Sequence, residues 1–186
     1  AKTLEIAAEE AVRIEGQHVP IDATPLGAGK LAVMQRFPVG VVAAITPFNA
    51  PINLACHKLG PAIAAGNTVV LKASPAASLC IHLLVELFVE AGIAPGILNA
   101  VYGEAAGAYL VADPNVDFIS FTGSSAVARK ISAVSGLRRM TLELGGNAWT
   151  IVDADSDIEP IAGLCATNAM RLAGQSCISV QNVAVH

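Results

Sequence analysis

The chain of 186 residues is long enough to bury a substantial core and fits one α/β domain, or one domain plus part of another. Hydrophobic residues make up 54% of it and aromatic residues only 4%, a balance typical of helices packed on a parallel sheet. The net charge of −4, with no cluster of Lys or Arg, argues against nucleic acid or a membrane surface as a partner. No apolar run approaches the roughly 20 residues that a membrane-spanning helix needs.

Cysteine usage and the chain ends indicate the type of protein. The four cysteines lack the spacing of a metal site, so the sequence predicts no metal and no disulfide framework, and reduced thiols predict a cytoplasmic location. Since the chain starts with Ala1 rather than Met and stops at His186 after an apolar run, we expect a fragment of a longer protein. The cysteines are Cys56, Cys80, Cys165 and Cys177.

The first elements predicted by hydrophobic periodicity are a helix in residues 1–14 and a Pro/Gly-rich arm in residues 15–37. The arm predicts a projecting hairpin. From residue 38 to 143 five apolar strand runs alternate with helical runs. This alternation predicts a Rossmann-like, doubly wound parallel five-stranded sheet, because each return crossover must pass over a face of the sheet.

The pattern restarts in residues 144–186 with a strand, a helical run over residues 157–175 and a last strand. We interpret this segment as the beginning of a second, incomplete α/β domain. In the first domain, polar residues and glycines follow the strands at their carboxyl ends, where ligands of such sheets bind. These positions are Asn49, Lys72, Ser74, Gly103, residues 122–125 and Glu143.

Two of these motifs point to a nucleotide but have simpler explanations. "FTGSSAVARK" places Gly123 and Ser124 at a strand-to-helix turn, where free N–H groups would bind a diphosphate, although Ser124 alone fits an ordinary helix cap. In "VVLKAS", Lys72 ends an apolar strand and would reach ribose hydroxyls or phosphate, although a solvated lysine is the commoner case. "GAGKLA" in the arm is set aside because no strand precedes it.

Three further residues are candidates for catalysis. Glu143 lies in an apolar strand run, where burial would raise its pKa and make it a general base, unless Arg138, Arg139 or another cation pairs with it. Asn49 in "TPFNAP" is held between prolines and is either an oxyanion donor or a turn residue. The thiol of Cys177 in "LAGQSCISV" follows Gly, Gln and Ser at a junction between elements, and this composition leaves open whether it reacts or packs.

Taken together, "TPFNAP", "GNTVVLKAS", "FTGSS", "LELGGN" and "GQSC" resemble, in order and separation, the aldehyde dehydrogenase superfamily. The similarity runs over nearly the whole chain. It implies that Cys177 is the catalytic nucleophile, Asn49 the oxyanion donor and Glu143 the general base. It also implies an NAD(P) site at Thr46, Pro47, Lys72, Ser74, Gly103, Gly123, Ser124, Val127, Leu144 and Gly145.

The implied reaction oxidises a small aldehyde to a carboxylate through a Cys177 thiohemiacetal and thioester, which water activated by Glu143 hydrolyses. "GQSCISVQ" and "PFNAP" resemble members that act on small polar aldehydes. The resemblance assigns residues 38–143 to the cofactor domain, with the helix of residues 1–14 as part of it. It makes the arm an oligomerisation hairpin, so that the full-length protein is expected to be a homo-oligomer.

Departures from the family pattern refine these expectations. The family often has a glutamate where this chain has Pro75, so we predict that NADP is tolerated or preferred. Ala128 stands where Gly is common and is expected to narrow the cofactor site, and Phe48 replaces a common Trp. Two other functions remain open: a nucleotide-binding or self-associating module without turnover, and a thioesterase-like hydrolase that uses Cys177 and Glu143 without a cofactor.

Overall fold

The structure is a computed structural model that describes residues 2–186. Helix α1 spans Lys2–Ala11, shorter than the predicted residues 1–14, and Ala1 lies outside the described residues. The arm contains strands β1 (Gln17–Val19) and β2 (Ala32–Met34), which pair antiparallel. The predicted hairpin is therefore present, with most of its side chains exposed to solvent.

The predicted five-stranded parallel sheet is confirmed, with strand order β5-β4-β3-β6-β7. The order reverses direction at β3, because the chain first builds outward through β4 and β5 and then returns to the other side of β3. This reversal creates the crevice at which ligands of doubly wound sheets bind. The strands are β3 (Val41–Ile45), β4 (Thr68–Lys72), β5 (Leu98–Val101), β6 (Phe118–Thr122) and β7 (Arg139–Glu143).

Four helices connect these strands and cover both faces of the sheet. Helix α2 begins at Pro51, whose fixed φ and missing N–H suit a first helical position, and the chain leaves it through Gly66 at φ 76°. One core cluster packs around Leu59 and Leu71, and the other around Ile119 and Phe121. The helices are α2 (Pro51–Ala64), α3 (Ser78–Glu90), α4 (Ala106–Ala112) and α5 (Ser125–Val134).

Residues 144–186 form a small second unit. Strands β8 (Ala148–Val152) and β9 (Val180–Val185) pair in parallel, and helix α6 (Ile158–Met170) connects them. The predicted helix over residues 157–175 is wrong at its end, because α6 stops at Met170 and a turn of different handedness follows. Within residues 2–186, no helix is both long and apolar enough to cross a bilayer.

Candidate active site

A cavity of about 580 Å³ opens at the carboxyl ends of β3, β4 and β6, beside α4 and α5. The fold thus brings together residues that lie more than 80 positions apart in the sequence. Seven of the ten residues predicted to bind the dinucleotide line this cavity: Thr46, Pro47, Lys72, Ser74, Gly123, Ser124 and Val127.

Lys72 is the buried cation of this cavity. It is only 9% exposed, so the alternative of a solvated lysine at the strand end is wrong. A Cβ built on Gly107 would lie 3.6 Å from Lys72 Cε, which places the lysine stem beside the start of α4. A cation held in partly dehydrated surroundings attracts phosphate or ribose oxygens more strongly than one in bulk water.

The start of α5 forms another wall of the cavity. Ser124 caps the helix, since its hydroxyl accepts a hydrogen bond from the backbone N–H of Val127 at 3.3 Å. The cap satisfies one of the N–H groups that a helix N-terminus leaves free, and the positive end of the helix dipole still faces the cavity. The preceding Gly123 is required by packing, because a Cβ there would lie 2.5 Å from the Phe121 ring.

Thr46 supplies an unsatisfied polar group at the same place. Its backbone N–H donates to the carbonyl of Lys72 at 3.1 Å, but its buried Oγ1 has no hydrogen-bond partner among residues 2–186. A buried hydroxyl without a partner is costly, and a ligand oxygen in the cavity would satisfy it. The orphaned Thr46 hydroxyl, the buried Lys72 and the α5 N-terminus together fit a dinucleotide.

The remaining predicted cofactor residues lie outside this cavity. Gly103 follows β5 with φ 95°, in a conformation that favours glycine. Leu144 and Gly145 follow β7 on the way to the second unit, and Leu144 packs against the core. Ala128, expected to narrow the cofactor site, is 3% exposed in the core and does not line the cavity.

Asn49 connects the two units of the chain. Its Nδ2 donates a hydrogen bond to the carbonyl of Gln175 at 2.8 Å, two residues before Cys177. The Asn49 Oδ1 is buried and has no partner among the described residues. Because a primary amide carries two N–H bonds, one remains available for a ligand oxygen, as an oxyanion donor requires.

The four cysteine thiols differ in burial, and all are free. Cys177 is exposed, whereas Cys56 is buried in α2, where burial raises the pKa of its thiol. The Cys177 segment lies against the loop after β7, since a Cβ on Gly146 would lie 3.1 Å from the Cys177 carbonyl oxygen. Across residues 2–186, no group of three or more His, Cys, Asp or Glu side chains is placed to hold a metal ion.

A left-handed turn leads into the cysteine segment. Leu172 has φ 52° and ψ 35°, Ala173 has φ 55° and ψ 35°, and Gly174 follows with φ 75°. The backbone N–H of Gln175 closes the turn on the carbonyl of Leu172 at 3.1 Å. Only the glycine suits this conformation, so the turn that presents the Gln175 carbonyl to Asn49 carries backbone strain.

Glu143 differs from the sequence-based expectation. The apolar run around it predicted a desolvated carboxylate, but Glu143 is exposed because β7 is an edge strand and Glu143 is its last residue. The alternative pairing with Arg138 or Arg139 is absent from the described residues. Arg138 instead donates to the carbonyl of Val111 at 2.7 Å.

Lys58 is a site residue that sequence reasoning missed. It lies on the inner face of α2 at 7% exposure, and its Nζ donates to Ser120 Oγ in β6 at 3.1 Å. Burial lowers the pKa of Lys58 to about 8, and the negative charge of Glu143 partly opposes this. The available signal was a lysine at a helical position whose neighbours at i−3 and i+1, Ala55 and Leu59, are both in the core.

Comparison with known proteins assigns the chain to a family. The model of the aldehyde dehydrogenase family matches residues 1–186. The chain belongs to the aldehyde dehydrogenase family. A curated relative, 3-sulfolactaldehyde dehydrogenase of Priestia aryabhattai, is 49% identical over 188 residues, which cover 100% of this chain and 39% of the relative.

Solved structures agree with this assignment. The NADP complex of NADP-dependent glyceraldehyde-3-phosphate dehydrogenase from Bacillus halodurans superposes with a TM-score of 0.94 at 37% identity, over 100% of this chain and 40% of that one. NAD-dependent aldehyde dehydrogenase from Sinorhizobium meliloti gives a TM-score of 0.92 at 39% identity, over 100% and 37%. The chain therefore spans about two fifths of the length of the aldehyde dehydrogenases that it matches.

Proposed function

We propose that the intact protein oxidises an aldehyde to a carboxylate with NAD or NADP as hydride acceptor, using Cys177, Asn49 and Glu143. Family membership supports this reaction, and the observation that carries it is the Asn49 Nδ2 hydrogen bond to Gln175 at 2.8 Å. This bond fixes the Asn49 amide against the backbone of Gln175, two residues before the exposed Cys177.

In the proposed reaction the Cys177 thiolate attacks the aldehyde carbon and forms a thiohemiacetal. The second N–H of the Asn49 amide and the Cys177 backbone N–H stabilise the developing oxyanion. A bound dinucleotide would supply the hydride acceptor, and loss of hydride from the thiohemiacetal carbon would leave a thioester on Cys177. Lys72, Thr46 and the N-terminus of α5 would hold that dinucleotide.

Hydrolysis of the thioester needs a base in contact with water. Glu143 is exposed at the end of β7, so it meets solvent directly. It takes a proton from the water that attacks the thioester carbon, and the Cys177 thiolate leaves. The charge of Glu143 raises the pKa of Lys58 and so partly offsets the effect of burial on that lysine.

The test is a rapid-mixing experiment on the intact protein with Glu143→Gln. Because the variant still forms the thioester but hydrolyses it slowly, we expect a burst of one reduced dinucleotide per Cys177 and then a steady rate at least ~100-fold below wild type. Cys177→Ser is the matched control, which we expect to bind the dinucleotide but give no burst.

The outcomes separate the alternative functions. A normal steady rate in Glu143→Gln would remove Glu143 from the hydrolysis step. Ester cleavage that needs Cys177 but is unaffected by dinucleotide would support the thioesterase-like function instead. Binding of dinucleotide without any turnover would support the nucleotide-binding module.

For the substrate we propose a short, polar aldehyde. The support is the resemblance of "GQSCISVQ" to members of that type and the names of two relatives, a 3-sulfolactaldehyde dehydrogenase and a glyceraldehyde-3-phosphate dehydrogenase. We expect kcat/KM for such anionic aldehydes to exceed that for apolar aldehydes of equal length. A preference for the apolar aldehydes would contradict this proposal.

We also propose that the arm of residues 15–37 joins subunits of a cytoplasmic homo-oligomer. Its strands β1 and β2 leave Val19 and Val33 exposed, at 42% and 61%, and the cysteines are unpaired as in a reducing compartment. Replacing both valines by Ser is expected to lower the oligomeric state in sedimentation. An unchanged state would remove the arm from the interface.

A further inference from the structure

Glu104 supplies a carboxylate to the cofactor cavity, although Pro75 stands where the family often has a glutamate. Glu104 follows β5 and lines the cavity together with Lys72, Ser74 and Pro75. Its carboxylate makes no hydrogen bond or ion pair with residues 2–186. It is therefore available to a ligand.

The strand register explains how Glu104 reaches this position. β4 and β5 pair in parallel with Lys72 opposite Val101, so the two chains leave the sheet side by side. The turn after β5 is held to α3, because the Tyr102 hydroxyl and His82 Nδ1 share a hydrogen bond of 3.3 Å. This anchored turn carries Glu104 over the cavity.

The arrangement of charge along the cavity defines which end Glu104 occupies. The N-terminus of α5, after β6, favours the diphosphate, whereas Lys72 and Glu104 lie two and three strand positions away, after β4 and β5. Neighbouring strands are about 4.8 Å apart, so the ends of β4 and β5 lie roughly 10 Å and roughly 14 Å from the end of β6. An adenosine ribose bound through the diphosphate extends toward this end of the cavity.

We infer that Glu104 is the residue that determines the choice between NAD and NADP, by facing the 2′ position of the adenosine ribose. This inference rests on the proposed function. A free 2′-hydroxyl donates a hydrogen bond to the carboxylate, whereas a 2′-phosphate places two further negative charges beside it. Pro75 has no carboxylate and cannot discriminate in this way. Glu104, which follows the neighbouring strand, therefore lowers the affinity for NADP that Pro75 alone would allow.

Calorimetric titration of the intact protein with NAD and with NADP tests this role without turnover. In Glu104→Gln we expect the affinity for NADP to rise about tenfold relative to that for NAD. The matched control is Glu90→Gln, which removes the same charge from the far end of α3. This control is expected to leave the ratio within about twofold, because exposed charges more than a Debye length apart are screened.

A second variant distinguishes a local carboxylate effect from a general one. Adding Pro75→Glu to Glu104→Gln returns a carboxylate to the same end of the cavity and is expected to restore the wild-type preference. An unchanged ratio in Glu104→Gln, or an equal change in Glu90→Gln, would overturn the inference while leaving the proposed function intact. Binding of neither dinucleotide by the wild type would overturn both.

Discussion

Helices α2 and α6 are nearly equal in length, with 14 and 13 residues, but differ in what they bury. α2 packs Ala55, Cys56 and Leu59 into the core, whereas α6 has no buried residue. The neighbouring strands differ in burial in the same way. β3, which precedes α2, is almost wholly buried, whereas β9, which follows α6, alternates between half-buried and exposed positions. Within this chain, the buried side chains therefore lie mostly in the half that forms the five-stranded sheet, and the half that contains Cys177 contributes few of them.

The largest change in stability is expected when the same substitution is made in both halves and the two losses are compared. Ile119 in β6 is fully buried, so Ile119→Ala is expected to lower the free energy of unfolding by about 3 kcal/mol. Ile151 in β8 is 82% exposed, and Ile151→Ala is expected to cost less than about 0.5 kcal/mol. Urea denaturation followed by far-UV circular dichroism measures both. Equal losses would mean that the two halves share one core.

A smaller effect is expected from the lysine that lies inside the half that forms the five-stranded sheet. Because the pKa of Lys58 is lowered to about 8 in the folded chain, the unfolded chain binds more protons between pH 8 and its ordinary pKa of 10.5. The free energy of unfolding should therefore rise through this window, by roughly 2 kcal/mol between about pH 7.5 and pH 9.5. Lys58→Met is expected to remove the rise and to stabilise the chain at pH 7.

Its control is Lys30→Met, in the exposed arm. Urea midpoints at pH 7.5, 8.5 and 9.5 provide the measurement. We expect the Lys30 variant to keep the wild-type pH profile, because an exposed lysine has nearly the same surroundings in both states. The same profile in the Lys58 variant would show that another group causes the rise.

The difference between the halves also decides what the sequence predicts. The apolar runs of β3 to β7 predicted the five strands. Because ligands bind at the carboxyl ends of parallel strands, the polar residues at those ends, including Lys72 and Ser124, were predicted to lie in the cavity. The exposure of Glu143 was missed because local sequence does not determine which strand forms the edge. Lys58 was missed because its partner Ser120 is 62 residues away.

The left-handed turn was missed for a different reason. Leucine and alanine are ordinary helix formers, so residues 171–174 extend the helical pattern of α6. Leu172 and Ala173 instead have positive φ values, in a turn that brings the Gln175 carbonyl to Asn49, a contact over 126 residues. Tertiary contact here overrides local preference, as is common near active sites.

The smallest change in stability is expected for a substitution in this turn. Unlike most substitutions, it is expected to stabilise the chain. Leu172→Asn replaces a 51% exposed leucine by a residue that tolerates positive φ, so we expect the second unit to gain about 1 kcal/mol. Trp149 is the single tryptophan and lies in β8, so its fluorescence in urea reports this unit. The matched control Leu164→Asn, in α6 at 62% exposure, should be slightly destabilising because asparagine is a poorer helix former. A loss of stability in both variants would mean that Leu172 contributes more through its side-chain contacts than its backbone conformation costs.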